Sequence, residues 1–225
     1  MKTALILPTA FVTTFNSGAN SETRIQQYIQ GFKQVAEVSS KYSDLDVYLV
    51  DNTVDDPSRV DGRLTEALQA IPGLKDILYF SDNEYGKVNK GAGLICAWRG
   101  FLARTKIHYD FVISFEPRQE LLNYDLFDRF VAHPNSYFRL MRPKVKKFRV
   151  FPIMLHQVLT GFSIFRKEDM EKYCKEADLE TMVRDRISIE DDLFDFLFRN
   201  QVSFEVVSFA GIRWHDAAQN THWEF

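Results

Sequence analysis

Short apolar runs alternate with amphipathic stretches along this chain, and that alternation constrains its fold more than any other feature. The runs at 4–7, 47–50, 77–80 and 111–115 are four or five residues long and rich in Val, Ile, Leu and aromatic side chains. Between them, apolar residues recur three and four apart. Ile25, Tyr28, Ile29, Phe32, Val35 and Ala36 form one such stripe. Leu64, Ala67, Leu68 and Ile71 form a second, and Leu94, Ile95, Trp98, Phe101 and Leu102 a third. A period that switches between strand and helix in this way predicts βαβ units and a mostly parallel central sheet flanked by helices.

The first strand is expected to end at Pro8, and the first helix to begin near Ser21 with Asn20 or Ser21 as its cap. Leu126, Phe127, Phe130 and Val131 predict a further helix. The stretch 139–149 holds Arg139, Arg142, Lys144, Lys146, Lys147 and Arg149 and reads as a strand edge and a loop, solvated or holding an anionic ligand. A strand at 161–165 precedes two polar helices. A helix beginning at Glu190-Asp191-Asp192 follows, then a last strand from about 204 to 209 running on to Trp214-His215. No repeat, low-complexity segment or linker divides the chain, so one domain over 1–225 is expected.

Composition narrows the function. Apolar residues make up 45% and charged residues 26% of the 225, enough for a packed core and too apolar for disorder. A net charge of -3 argues against a nucleic-acid-coating protein. No run reaches the ~18 apolar residues of a membrane span, and the N-terminal apolar run is too short for a signal peptide. A cytoplasmic location is expected. Cys96 and Cys174, far apart and on helix-period stretches, read as reduced thiols.

Polar clusters stand at the expected strand ends, where an open α/β sheet binds its ligands. Asp51 and Asn52 can meet a base edge or a ribose, or can form a turn. Gly86-Lys87-Val88-Asn89-Lys90-Gly91-Ala92-Gly93 precedes a helix. Its glycines admit a phosphate to the helix N-terminus or admit tight packing. Glu116-Pro117-Arg118 offers a carboxylate for a metal or sugar hydroxyl and a guanidinium for a phosphate, or a salt bridge. Glu190-Asp191-Asp192 is a charged helix start or holds a general base. His215 is a further candidate, and His156, His222 and Trp223 are weaker ones.

Taken in order, these segments resemble the GT-A glycosyltransferases, especially the family-2-like enzymes. Ala4-Leu5-Ile6-Leu7-Pro8-Thr9 is similar to their opening strand and proline turn, and Val50-Asp51-Asn52-Thr53 to the strand end that meets the nucleoside. Asn83-Glu84-Tyr85-Gly86-Lys87-Val88-Asn89-Lys90-Gly91 is similar to their Asn/Gly segment. Gly161-Phe162-Ser163-Ile164-Phe165 is similar to the glycine loop near the acceptor. Ile189-Glu190-Asp191 matches the xED motif, and Trp214-His215 the C-terminal metal-binding histidine. The resemblance spans nearly the whole chain. It implies a GT-A fold and transfer of a sugar from a nucleotide-sugar, most commonly a UDP-sugar, to a glycan or other hydroxyl acceptor.

The resemblance assigns the donor to Pro8, Thr9, Asp51, Asn52, Asn83, Gly86, Lys87, Lys90, Glu116 and Arg118. The acceptor falls to Gly161 and Trp214, and catalysis to Asp191 as the inverting base with Glu190 beside it. One departure stands out. The family's Asp-x-Asp is here Glu116-Pro117-Arg118. A divalent metal, Mn or Mg, would rest on Glu116 and His215 alone. Alternatively Arg118 neutralises the leaving diphosphate, and weak or absent metal dependence is expected. Two rival readings are a non-catalytic nucleotide-sugar-binding module, or pseudoenzyme, and a retaining transferase. A sugar nucleotidyltransferase is disfavoured, because Pro8-Thr9-Ala10-Phe11-Val12-Thr13-Thr14 stands where such enzymes carry a Gly-rich, Arg-containing loop. The short acceptor-side elements imply a small glycan, a partner domain or peripheral membrane association.

Overall fold

The computed structural model describes residues 1–12, 21–147, 152–216 and 221–224, with backbone alone at 21, 142–147, 152–156, 214–216 and 221–223. The first half is three βα units in series. β1 (Thr3–Thr9) leads to α1 (Ser21–Lys41), β2 (Leu45–Asp51) to α2 (Gly62–Gln69), and β3 (Leu74–Tyr79) to α3 (Lys90–Arg104). β4 (Phe111–Phe115) follows. β1 pairs in parallel with β2 on one side and β4 on the other, and β2 with β3, giving the order β3-β2-β1-β4.

The second half extends the sheet. After β5 (Glu120–Leu121) and α4 (Asp125–Ala132) come β6 (Tyr137–Lys147), β7 (Pro152–Val158) and β8 (Phe162–Arg166). β8 lies antiparallel against β4, with Phe115 opposite Phe162, and β6 joins β8 on its far side. Three helices then follow: α5 (Lys167–Glu176), α6 (Leu179–Arg184) and α7 (Ile189–Arg199). β9 (Glu205–Val207) runs parallel to β6. β10 (Ile212–Asp216) and β11 (Thr221–Glu224) form a small second sheet with β5.

Every residue of β1 and β4 is buried, because helices cover both faces of the sheet. Side chains alternate across each strand. Leu5, Leu7, Val47, Leu49 and Ile113 enter one core with Tyr28, Phe32 and Val35 of α1 and Leu64 and Leu68 of α2. Ala4, Ile6, Tyr48, Val50 and Val112 enter the other with Ile95, Trp98 and Phe101 of α3 and Leu193 and Phe196 of α7. The fully buried Trp98 keeps its indole N–H satisfied at 3.0 Å from Ser114 Oγ. Cys96 and Cys174 are both buried and free, as expected. Among the described residues no helix is long and apolar enough to cross a membrane.

Several expectations are corrected. Pro8 lies inside β1 rather than ending it. Its position is past Ile6, the last β1 residue paired with β4, so its missing N–H leaves no gap on that side. The stretch at 139–147 is strand throughout, and β7, its hairpin partner, escapes a reading based on alternation. The single last strand is two strands in two sheets, separated by a turn at Gly211, whose φ of 75° favours glycine. The expected caps Asn20 and Ser21 fall outside the residues or side chains described, as does Arg149.

Gly31 shows how closely the layers approach. A Cβ there would overlap the Pro117 carbonyl oxygen, whereas a Cβ on Gly62 meets nothing within 4 Å. Gly31→Ala is expected to cost about 2–3 kcal/mol through overpacking, lowering Tm by roughly 5–10 °C. Gly62→Ala should instead stabilise by about 0.5 kcal/mol. Thermal denaturation of the two variants tests the pair.

Candidate functional site

Strand order reverses between β1 and β4, since their crossovers lie on opposite faces of the sheet. That switch point is where such sheets open a crevice at the strands' carboxyl ends. Ala10 follows β1 there, and Glu116-Pro117-Arg118 follows β4. β8 enters from the opposite direction, and the Glu116 N–H donates to the Gly161 carbonyl at 2.9 Å. Gly161 therefore sits beside Glu116-Pro117-Arg118.

α1 completes this corner. The Arg24 guanidinium donates to the Ala10 carbonyl at 2.9 Å, and Tyr28 Oη accepts from the Ala10 N–H at 3.0 Å. Arg118 is ion-paired with Glu116 and its guanidinium lies 6.0 Å from the centre of the Tyr28 ring. The side chains of Arg118 and Glu116 are 18% and 30% exposed, so both stay within reach of a ligand. Burial pushes the Glu116 carboxyl up, but Arg118 and then Arg24 outweigh it and hold the pKa below its ordinary value. Burial lowers the pKa of Arg24, and the like charge of Arg118 adds to the effect. Two guanidiniums thus face one carboxylate, leaving an excess positive charge in a confined corner. Among the described residues the Arg118 Nε has no hydrogen-bond partner.

Arg24 was not among the residues singled out from sequence. Its signal is positional: it stands four residues before Tyr28 and seven before Gly31, on the helix face turned to the crevice. A glycine inside a long helix costs about 1 kcal/mol and therefore asks for a reason, which here is Pro117.

The catalytic candidates lie on the other wall, at the start of α7. Ser188 caps this helix, accepting from the Asp191 N–H at 3.3 Å and donating to the Asp191 carboxylate at 2.8 Å. Gln157 of β7 donates to the other Asp191 oxygen at 3.0 Å. Thr160, next to Gly161, donates to Glu190 at 3.3 Å. Asp191 is therefore oriented by two donors, and Glu190 is linked through Thr160 and Gly161 to Glu116. Asp192 faces away, accepting from Tyr173 Oη at 2.9 Å. Gln157 and Thr160 are positioning groups that sequence reasoning missed, since neither belongs to a recognisable motif.

Other candidates prove to be framework. The buried Asp51 carboxylate accepts five hydrogen bonds at 2.6–3.1 Å, from Thr9 Oγ1, Phe11 N, Thr53 N, Thr53 Oγ1 and Val54 N. Those bonds fasten the loops after β1 and β2 together and occupy its lone pairs. Asn52 donates to the Gly93 carbonyl at 2.8 Å, with Asp82 O and Asn83 Oδ1 farther off, and so ties β2 to α3.

The Gly86–Gly93 segment packs rather than cradles. A Cβ on Gly86 would collide with Asn83, one on Gly93 would lie 2.8 Å from the Gly86 Cα, and one on Gly91 2.7 Å from Ile189 Cβ. Asn89 caps α3 by accepting from Gly91 N and Ala92 N, so those N–H groups are not open to a phosphate. Lys87 is ion-paired with Glu84, and Lys87 and Lys90 are both exposed. The contact of Gly91 with Ile189 nevertheless brings the start of α7 to the same sheet edge as Asp51, Asn52, Glu116 and Gly161.

Trp214 and His215 lie on β10, but their side chains, like those of His156, His222 and Trp223, fall outside the described residues. Among the described residues no three His, Cys, Asp or Glu side chains lie together as a metal-binding group. Glu116 already engages Arg118 and accepts from Gln119 at 3.3 Å. Glu116, the described member of the expected metal pair, is therefore already engaged by a cation.

Burial pushes the Glu190 carboxyl above its ordinary value of 4.5. The native state then binds more protons than the unfolded chain just above that value, so this group lowers stability as pH rises through the window. Glu190→Gln is expected to raise the urea midpoint at pH 7 relative to the parent protein, with the gain shrinking at pH 4. Paired urea titrations at the two pH values check the sign.

No protein-family model matches the chain, and no curated protein matches its sequence. Solved structures with a similar fold include 4-diphosphocytidyl-2C-methyl-D-erythritol synthase from Anaerococcus prevotii, at TM-score 0.55 and 12% identity, covering 92% of this chain and 88% of that one. The nucleoside-diphosphate-sugar pyrophosphorylase from Vibrio cholerae aligns at TM-score 0.57 and 12% identity, over 93% of both chains. S. aureus TarS 1-349 aligns at 0.52 and 18% identity, over 94% of this chain and 59% of its own. These likenesses are of fold: the chain has the α/β architecture of the nucleotide-diphospho-sugar transferases.

Proposed function

We propose that this chain transfers a sugar from a nucleotide-sugar, a UDP-sugar in the first instance, to a hydroxyl acceptor with inversion, using Asp191 as the base. The observation that carries the reading is the placement of Asp191. It stands at a helix start, oriented by Gln157 and Ser188, on the edge of the sheet that also holds the cationic corner of Arg24 and Arg118. A base on one side and positive charge on the other suit in-line displacement of a nucleoside diphosphate.

In this reading the diphosphate lies against Arg118 and Arg24, and their charge stabilises the leaving group as it departs. Glu116 holds Arg118 in place. Asp191 takes the proton from the attacking hydroxyl, and Glu190 lies beside it. The nucleoside lies against the loops after β1 and β2 that Asp51 joins. Catalysis without a divalent cation follows from the replacement of the family's Asp-x-Asp by Glu116-Pro117-Arg118.

Asp191→Asn is expected to lower transfer about 10²–10⁴-fold, with the thermal shift produced by UDP unchanged. Retained activity in that variant would remove Asp191 as the base. Arg24→Ala should weaken UDP binding about tenfold or more, as loss of a charge-assisted contact does. EDTA should leave the rate within twofold of the untreated enzyme, measured as nucleoside diphosphate released.

A nucleotidyltransferase is the second reading, favoured by the likeness in fold to the A. prevotii synthase and the V. cholerae pyrophosphorylase. The chain 9–20 after β1 contains no Arg or Lys and one glycine, Gly18, which suits poorly a loop that grips a triphosphate. Nucleoside triphosphate plus sugar 1-phosphate, assayed for pyrophosphate, separates the two reactions.

A further inference from the structure

Below Arg118 a groove of about 490 Å³ runs between α1 and the small second sheet, within the size range of small-ligand sites. One wall is the face of α1 that carries Gln26, Gln27, Gln30 and Gln34, four glutamines in nine residues. The other is formed by Arg118-Gln119-Glu120 and by Arg213 of β10.

The charges in these walls are paired within the protein. Glu22 is bound by Arg63, Glu120 by Arg213, and Arg118 by Glu116. Arg213 is bound a second time by Glu224. Gln34 is also committed, since its amide donates to the Leu121 carbonyl at 3.0 Å and accepts from the Leu121 N–H at 3.1 Å, closing the edge of β5. Gln26 Nε2 donates to Glu22 at 2.9 Å. Among the described residues the buried Gln27 Oε1 has no hydrogen-bond partner, a costly state for a carbonyl. Gln27 also lines the groove.

The geometry points to this groove as the binding site for a neutral, hydroxyl-rich oligosaccharide, the acceptor of the proposed transfer. Amides supply a donor and an acceptor on one group and so match a hydroxyl, which is both. Beyond Arg118, pairing of Glu22 with Arg63 and of Glu120 with Arg213 disfavours an anionic chain along the groove. The groove also borders Arg118 and Gln119, at the turn where Glu116 meets Gly161, so a chain seated in it ends at the crevice. The inference rests on the sugar-transfer reading for the word acceptor, and not for the occupancy of the groove.

The test is saturation-transfer NMR and calorimetry with maltotriose, cellotriose and chitotriose, and with a galacturonic acid trimer as the anionic arm. At least one neutral trimer is expected to bind the parent protein. Gln27→Ala should weaken it about two- to tenfold, and Gln30→Trp, at an exposed position of α1, should abolish it. Thermal unfolding confirms that both variants fold. Binding by no neutral trimer, tighter binding of the acidic trimer, or affinities unchanged by both substitutions would each overturn the proposal. UDP thermal shifts on the same proteins separate the two readings. Trimer binding without nucleotide binding leaves the groove standing and sinks sugar transfer. Nucleotide binding without trimer binding does the reverse.

Discussion

Close approach of α1 to the turn after β4 is the constraint on which the rest of the site depends. Gly31 admits the Pro117 carbonyl, and nothing larger than hydrogen fits there. With the helix seated that deeply, Tyr28 and Arg24 reach both polar groups of Ala10, and Gln34 reaches both polar groups of Leu121. One helix thereby fixes the ends of β1 and β4 relative to each other. The cationic corner and the amide-lined groove are two faces of that contact.

Polar residues at strand ends divide into two kinds. Asp51, Asn52 and Asn89 hold the loops, with their hydrogen-bonding capacity spent inside the protein. A buried carboxylate with five donors is costly to disturb, which makes the loop scaffold rigid. Glu190, Asp191, Glu116 and Arg118 are only partly buried and tied to one another through few bonds. Rigid loops of the first kind allow partly exposed groups of the second kind to be held at fixed separations.

Electrostatics explains the odd tripeptide at 116–118. A second carboxylate there would repel Glu116 and call for a cation. An arginine supplies the cation covalently, and Arg24 from α1 adds another. On the proposed reading, positive charge at this corner comes from side chains that α1 and the 116–118 turn hold in place.

Much of the architecture was legible in the sequence because short apolar runs and stretches of 3.6-residue period alternate in the first half. The parallel strands, their flanking helices, the switch from helix to strand, and a helix starting at Glu190-Asp191-Asp192 all follow from local pattern. The break between β9 and β10, the strand β7 and the pairing of β5 did not, because short strands without alternation are specified by their partners. Sequence also marked glycines and carboxylates at the strand ends but could not distinguish a ligand contact from a packing contact. For Gly91 that distinction lies in Ile189, far along the chain, and for Asp51 partly in Thr9 and Phe11 at the end of the neighbouring strand. Arg24, Gln157 and Thr160 entered the site only through tertiary structure, since their partners stand 14, 34 and 30 residues distant along the chain. Local sequence determines which residues are helical, extended or capped. Which of them meet is decided by how the two faces of one sheet are covered.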